Sequence, residues 1–199
     1  MKWFTEADVS IADDPELLDL MRESGCRQVL IGLESPVGGE LEGVEMRSNW
    51  KRSRAAGYED AVRRIQSHGI TVNGCFVLGL DGQTEAIFDQ VFEFVERSGL
   101  YEVQITVMTP FPGTPLYDRL QREGRLLAER DWDRCTLFDV NFAPTHMTPE
   151  RLQQGLVDLG RRLYDRSFIE ARRARFFRDL RATRAAGGRI PREEDPDET

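Results

Sequence analysis

The chain has 199 residues, enough for one domain with a buried core. With 40% hydrophobic and 31% charged residues it reads as globular, and no apolar run approaches the roughly 18–20 residues that span a bilayer. The opening residues, MKWFTEADVS, lack an apolar stretch and turn acidic at once; this excludes a secretory signal and leads to the expectation of a cytoplasmic protein without a transmembrane segment.

The net charge of −8 is unevenly spread. Residues 161–199 carry 11 Arg and 8 acidic groups, a net of +3, whereas the first 160 residues carry a net of −11. An acidic main body argues against nucleic acid as a partner. Almost every cation is Arg; Lys2 and Lys51 are the only lysines. Cys26, Cys75 and Cys135 lie far apart, so neither a disulfide framework nor a local metal knuckle is indicated. Three buried or half-buried thiols is the plain reading, and one reactive or ligating thiol the alternative.

In chain order, residues 3–9 read as a short strand. Asp14-Pro15-Glu16 then starts a helix with a cap, an early proline and an acid near the positive end of the dipole. Leu17, Leu20 and Met21 are expected on its inner face, and Gly25 ends it. Residues 28–33 form a strand around VLIGL. Residues 35–54 make a polar loop, long for a compact domain and therefore a candidate functional loop. Residues 58–68 are helical through Ala61, Val62 and Ile65.

Residues 71–80 form the next strand, within TVNGCFVLGLDG. Thr84 caps a helix carrying Ile87, Val91, Phe94 and Val95, and Gly99 stops it. Residues 102–108 form a fourth strand. Thr114-Pro115 opens a short helix that stops at Gly124. Residues 132–144 read as irregular. Thr148-Pro149-Glu150 caps a helix with Leu152, Leu156, Leu159 and Leu163 on one face. An Arg-rich helix follows over 167–184, with Phe168, Ile169, Phe176, Phe177 and Leu180 expected to dock on the body. Residues from 187 on read as a disordered acidic tail.

Four alternations of strand and helix imply right-handed crossovers and a parallel sheet. The strands read as apolar throughout, the pattern of a sheet buried on both faces. From pattern alone a doubly wound sheet and a piece of a (β/α) barrel fit equally well. In either, ligands bind at the C-terminal ends of the strands. Those ends carry Thr5-Glu6-Ala7-Asp8, then Gly32-Leu33-Glu34-Ser35, then Gly79-Leu80-Asp81-Gly82, then Thr109-Pro110-Phe111. Three of the four hold a carboxylate.

Gly74 and Gly79 raise a question, because glycine weakens a core strand. Either they leave room for a ligand lying on the strand, or Gly74 marks a bulge and Gly79 a turn. Glu34 is placed to accept hydrogen bonds from hydroxyls or amines, or to cap its own loop. Asp81 fits ordinary Asp-Gly turn chemistry. His68, in the last turn of a helix, reads as structural, and His146 is isolated. No Ser-His-Asp grouping, HExxH or GxxxxGK occurs.

Several stretches together resemble the radical S-adenosylmethionine (SAM) enzymes, and among them those that also carry a cobalamin-binding domain, with a hopanoid-methylase-like character. FTEADVSIADDPELLDLMRESGCRQVLIGLES is similar to the family's third strand, helix and fourth strand. YEDAVRRIQSHGITVNGCFVLGLDGQTEAIF is similar to the next helix and fifth strand. VQITVMTPFPGTPLYDRLQREGRLL is similar to the sixth strand and its exit, and the likeness runs on through NFAPTHMTPERL, covering about residues 3–180.

The resemblance implies an α/β fold: a partial TIM-like (β/α) barrel of about four parallel βα units, then a helical C-terminal extension. Residues 1–125 would be the C-terminal part of a (β/α)6 barrel, 126–185 an irregular segment and helices, and 186–199 the tail. Glu34 and Ser35 would face the ribose or amino-acid part of SAM. Gly74, Phe76 and Gly79 would floor the adenosyl group, Gln104, Thr109 and Pro110 would close the adenine side, and Glu6 would point toward SAM or substrate.

The family's activity is reductive cleavage of SAM to a 5′-deoxyadenosyl radical, with cobalamin-assisted methyl transfer to an unactivated carbon in this branch. One feature departs from the family. The CxxxCxxC loop that holds its [4Fe–4S] cluster is absent, and the three cysteines do not replace it. The first two barrel strands are absent as well. The resemblance therefore implies the C-terminal portion of such an enzyme, inactive alone and completed by a cluster-binding segment or partner subunit, with a small-molecule substrate. The alternative is a non-catalytic nucleotide- or partner-binding α/β module derived from that fold.

Overall fold

The computed structural model describes residues 1–41, 50–128 and 132–187. Strands β1 (Trp3–Glu6), β2 (Cys26–Glu34), β3 (Thr71–Leu78) and β4 (Glu102–Val107) form one parallel sheet. The described helices are α1 (Pro15–Glu23), α2 (Trp50–Arg54), α3 (Tyr58–Ser67), α4 (Ile87–Ser98), α5 (Pro115–Arg122), α6 (Pro149–Leu163) and α7 (Arg166–Ala185). The sheet order is β1-β2-β3-β4. Sequential order is that of a barrel wall; a doubly wound sheet reverses its order at a switch point. The fold is an open piece of a TIM-like barrel followed by helices.

Side chains set the helix starts. The Asp14 carboxylate accepts from the Leu17 N–H at 2.9 Å, Thr114 from Tyr117 at 3.3 Å, and Thr148 from Arg151 at 3.1 Å, each followed by a proline that has no N–H to satisfy. Thr84 differs from the expectation. It opens a turn whose carbonyl accepts from the Ile87 N–H, and Ala86 is the uncapped residue before α4.

The expectation of a sheet buried on both faces is corrected. In β3, Val72, Gly74, Phe76 and Leu78 are buried, while Thr71, Asn73, Cys75 and Val77 keep partial access; β4 alternates in the same way. The helices lie on the buried side, where Phe76 meets Phe94 of α4 edge-on at 5.7 Å among Val62, Ile65, Val91 and Val95. The other side is the concave wall of an open barrel. On it lie Phe4 and Glu6 of β1, Gln28, Leu30 and Gly32 of β2, the four accessible residues of β3, and Glu102, Gln104 and Thr106 of β4.

Two helix faces also differ from expectation. In α1 the buried residues are Leu18 and Arg22, and Leu17 and Leu20 are exposed. In α7, Phe176 is buried but Phe177 is exposed, and Arg172 takes a buried place. The Arg172 guanidinium donates to the Leu163 carbonyl at 3.1 Å and lies 5.1 Å from the Phe168 ring, so it caps the end of α6 from inside the α7 contact.

The outer edge of β4 is covered: the Val107 N–H donates to the Leu137 carbonyl at 2.7 Å, and the Tyr164 hydroxyl to the Val103 carbonyl at 3.4 Å. Among the described residues β1 pairs only with β2, so its outer edge takes no strand. No described helix is long and apolar enough to cross a membrane. The tail expected over 186–199 lies, from residue 188 on, outside the described residues, as do residues 42–49 of the long loop and 129–131.

Candidate functional site

The concave face becomes chemically dense at the C-terminal end of β2. Gly32 stands in register with Cys75, and Cys75 with Gln104. Between Gly32 and Glu34 the β2–β3 register shifts, and Glu34 takes a left-handed backbone with φ 63°. A bulge and a positive φ at a non-glycine residue re-aim a side chain at some strain. Here they turn the Glu34 carboxylate back over Gly32, where its Oε1 accepts from the Lys51 ammonium at 2.5 Å. A Cβ on Gly32 would lie 2.6 Å from that oxygen and 3.2 Å from Lys51 Nζ. The missing side chain is what lets the ion pair rest on the sheet. Both side chains keep about a fifth of their surface exposed (22% for Lys51, 20% for Glu34).

Cys75 lies beside this pair, its Sγ 3.8 Å from Gln104 Oε1. Burial, and then the charges of Glu34 and Glu6 against the weaker opposing pull of Lys51, push its thiol up to about 11. It stays protonated at neutral pH, which removes the thiolate that ligation or attack would need. Glu6 closes β1, exposed on the same face. One row down, Gln28 donates to Glu102 at 2.9 Å, and Asn73 Oδ1 is buried with no partner.

The loops above are tied to one another. The Ser35 hydroxyl, buried, donates to Glu40 at 2.6 Å and accepts from the Val37 N–H at 3.1 Å. Burial raises the Glu40 carboxyl, against the hydrogen bonds from Ser35 and Gln83. Gln83, also buried, accepts from the Gly79 and Leu80 N–H groups at 2.7 and 3.2 Å and donates to the Val77 carbonyl at 3.0 Å, so one amide closes the backbone at the end of β3. Asp81 is more than a turn residue. It binds Arg119 at 2.5 Å, Arg125 at 2.8 Å and the Thr145 hydroxyl at 3.1 Å. Burial alone would raise its carboxyl; the two guanidinium groups outweigh that and hold it below the ordinary range.

The expected site residues therefore divide. Glu34, Gln104 and Glu6 lie on the concave face. Gly74 and Phe76 do not; they face the helices. A Cβ on Gly74 would come within 2.8 Å of Leu100 and 3.1 Å of Leu33, so this glycine makes room for core leucines, and its pairing with Ile31 and Val103 is regular, with no bulge. Gly79 has φ 90°, and a Cβ there would lie 2.8 Å from both Leu152 and Phe142; it serves a turn and a helix contact. Ser35 spends its hydroxyl inside its own loop. Thr109 and Pro110 are buried beyond β4, with the Thr109 hydroxyl donating to the Val107 carbonyl at 3.0 Å.

The sequence reading passed over Lys51, Cys75 and Asn73 as members of this face. The signals were present: polar residues at every second position of TVNGCF and EVQITV, and one of only two lysines in a chain of 27 basic residues. His68 holds Asp19 at 2.7 Å, a structural contact. The three cysteines are free, and among the described residues no three His, Cys, Asp or Glu side chains gather to hold a metal. These residues do not fit a [4Fe–4S] cluster.

Comparison with known proteins places this geometry among relatives. A family model described as a domain of unknown function, DUF4070, matches residues 114–195. The bacteriochlorophyllide d C-12(1)-methyltransferase of Chlorobaculum tepidum is 28% identical over 172 residues, covering 86% of this chain and 36% of that protein. The hopanoid C-2 methylase of Rhodopseudomonas palustris is 38% identical over 122 residues, 61% of this chain and 22% of that protein. The chain thus spans about a fifth to a third of the length of these curated relatives. Among solved structures, the radical SAM methyltransferase TsrM from Kitasatospora setae, with cobalamin and a [4Fe–4S] cluster bound, superposes with a TM-score of 0.56 at 16% identity, over 95% of this chain and 47% of that one; this is a likeness of fold.

Proposed function

We propose that this chain is part of a radical SAM enzyme of the cobalamin-binding type, a reading that its likeness to the curated methyltransferases supports, and that its concave face is the SAM-binding wall of a methyltransferase. The observation that carries the reading is the Glu34 carboxylate, held over Gly32 beside Cys75 and Gln104 at the C-terminal end of the strands. This is where parallel barrels bind ligands, and the polar groups of the face match a ligand rich in hydrogen-bonding atoms. SAM bound there would supply the reactive methyl or adenosyl group.

The chain's own residues bind and orient. Glu34 accepts from the amino-acid or ribose end, Gln104 offers an amide toward the base, and Glu6 faces the substrate side. The protonated Cys75 thiol forms uncharged floor between them. Gln83 and the Asp81 network hold the loops in place. On this reading residues 1–125 are the C-terminal part of the barrel and 126–185 the helices that back it. The described residues do not fit an iron–sulfur cluster, so this part of the chain does not itself hold one. The bare outer edge of β1 is the place for a further parallel strand, contributed by another segment or subunit that carries the cluster. The substrate is a small molecule methylated at carbon.

Calorimetric titration of the purified protein with SAM tests this. Saturable binding that weakens about tenfold or more in Glu34→Ala is expected. A protein that takes up no SAM, or a Glu34→Ala variant with unchanged affinity, overturns the assignment.

A further inference from the structure

Arg172 holds a place in the core that an arginine seldom takes. It lies in α7 with only 5% of its surface exposed. Its guanidinium meets neutral acceptors alone: Nη2 donates to the Leu163 carbonyl at 3.1 Å, and Nη1 to the Leu100 and Tyr101 carbonyls at 3.4 Å each. Nε is buried with no partner, and among the described residues no carboxylate pairs with this charge. Glu102 is already engaged, one oxygen accepting from Gln28 at 2.9 Å and the other from Arg173 at 3.2 Å. Burial lowers the Arg172 guanidinium from its ordinary range, and the Glu102 charge offsets this only in part.

A cavity of about 210 Å³ lies beside this charge, with Tyr101, Glu102, Tyr164, Ile169, Arg172 and Arg173 in its wall. It sits between the start of β4 and the junction of α6 and α7, at the end of the sheet opposite to the one where parallel barrels bind ligands. The wall carries two guanidinium groups against one carboxylate. The Tyr164 hydroxyl makes only a long bond, 3.4 Å to the Val103 carbonyl, and can turn its hydrogen to a better acceptor.

A buried charge without a counter-charge is costly, and an apolar side chain of similar size would pack α7 against the body at less cost. Capping three carbonyls explains neither the unpartnered Nε nor the cavity next to it. We propose that this cavity is a binding site for a small oxyanion, a phosphate or a carboxylate, held by Arg172 and Arg173 with the Tyr164 hydroxyl. Guanidinium groups match the oxygens of either anion. The space takes such an ion and a few waters, each of which fills about 30 Å³. A bound oxyanion balances the buried charge and ties the α6–α7 junction to the first residues of β4, so it fastens the helical extension to the sheet. The site stands apart from the assignment of SAM and does not depend on it.

The test titrates inorganic phosphate and acetate into the full chain by calorimetry at constant ionic strength, with chloride as the reference anion. Saturable binding of phosphate or acetate, with none of chloride, is expected, together with a melting midpoint that rises with the concentration of the bound anion. Binding of phosphate alone identifies a phosphate site, and of acetate alone a carboxylate site.

Arg172→Met keeps the bulk and removes the charge; it should weaken the bound anion about tenfold or more. Arg173→Gln, at a half-exposed position, should weaken it about threefold or more. The melting transition of each variant shows that it folds, and where Arg172→Met does not, Arg173→Gln alone decides. Neither anion binding above chloride, or affinity unchanged in the folded variants, overturns the site.

Discussion

On the helix-covered face of the sheet, Val72, Phe76 and Leu78 have no solvent access, and Gly74 is squeezed between Leu100 and Leu33. On the opposite face Asn73, Cys75, Gln104 and Glu102 remain half-buried, and Gly32 leaves a gap that an ion pair fills. The same backbone serves both faces, and glycine serves each differently. Under the helices it relieves crowding between apolar side chains; on the open face it makes room for charge. A glycine in a strand therefore signals a close approach, and the neighbour that approaches decides whether the cause is packing or function.

The contrast predicts where substitutions act. The largest effect should come from the covered face. Phe76→Ala removes a fully buried ring that meets Phe94 and should destabilise by about 3–5 kcal/mol in urea denaturation. Gly79→Ala combines a positive φ with contacts to Leu152 and Phe142, and a loss of about 2–3 kcal/mol is expected by the same measurement. A near-neutral result at either position would erase the distinction between the faces.

Asp81→Asn, which weakens a half-buried junction of two arginines and a threonine, should cost about 1–2 kcal/mol. Because the folded carboxyl is held below its ordinary value, its stabilisation is present at neutral pH and lost as pH falls through the folded value. The variant's melting temperature should consequently fall less steeply with acidification than that of the unaltered protein.

Gly32→Ala sharpens the comparison from the open side. Only the mobile ends of Glu34 and Lys51 need to shift, so stability should change by under about 1 kcal/mol, while SAM affinity should drop about tenfold. The smallest effect concerns Cys75. Its thiol, raised from the ordinary value to about 11, should alkylate with a rate that climbs well beyond pH 9 in the folded state. The linked stability term is present below the ordinary thiol value and is lost as pH rises through about 11, since the unfolded chain releases that proton first. Alkylation that levels off near pH 8–9 would mean the thiol is not enclosed by Glu6 and Glu34.

Local chemistry was the legible part. Thr148-Pro149-Glu150 and the leucines at 152, 156, 159 and 163 define α6 because a cap and a helical stripe are written within a few residues. The strands were legible as elements. Average apolarity does not reveal a face: EVQITV alternates, and only one side of it is buried. Gly74 and Phe76, expected beside a ligand, face the helices, and their neighbours Asn73 and Cys75 lie on the open face.

What the sequence by itself determined is the order of strands and helices, their caps and stops, and the resemblance to radical SAM enzymes, because each of these depends on neighbours along the chain. Only the tertiary structure decided which side of the sheet stays open, that the sheet order is sequential, and that Lys51 closes on Glu34 over Gly32. That contact joins positions 17 residues apart through a bulge and a loop. No local pattern encodes such a pairing, since a charge finds its partner only after the backbone has brought the two together.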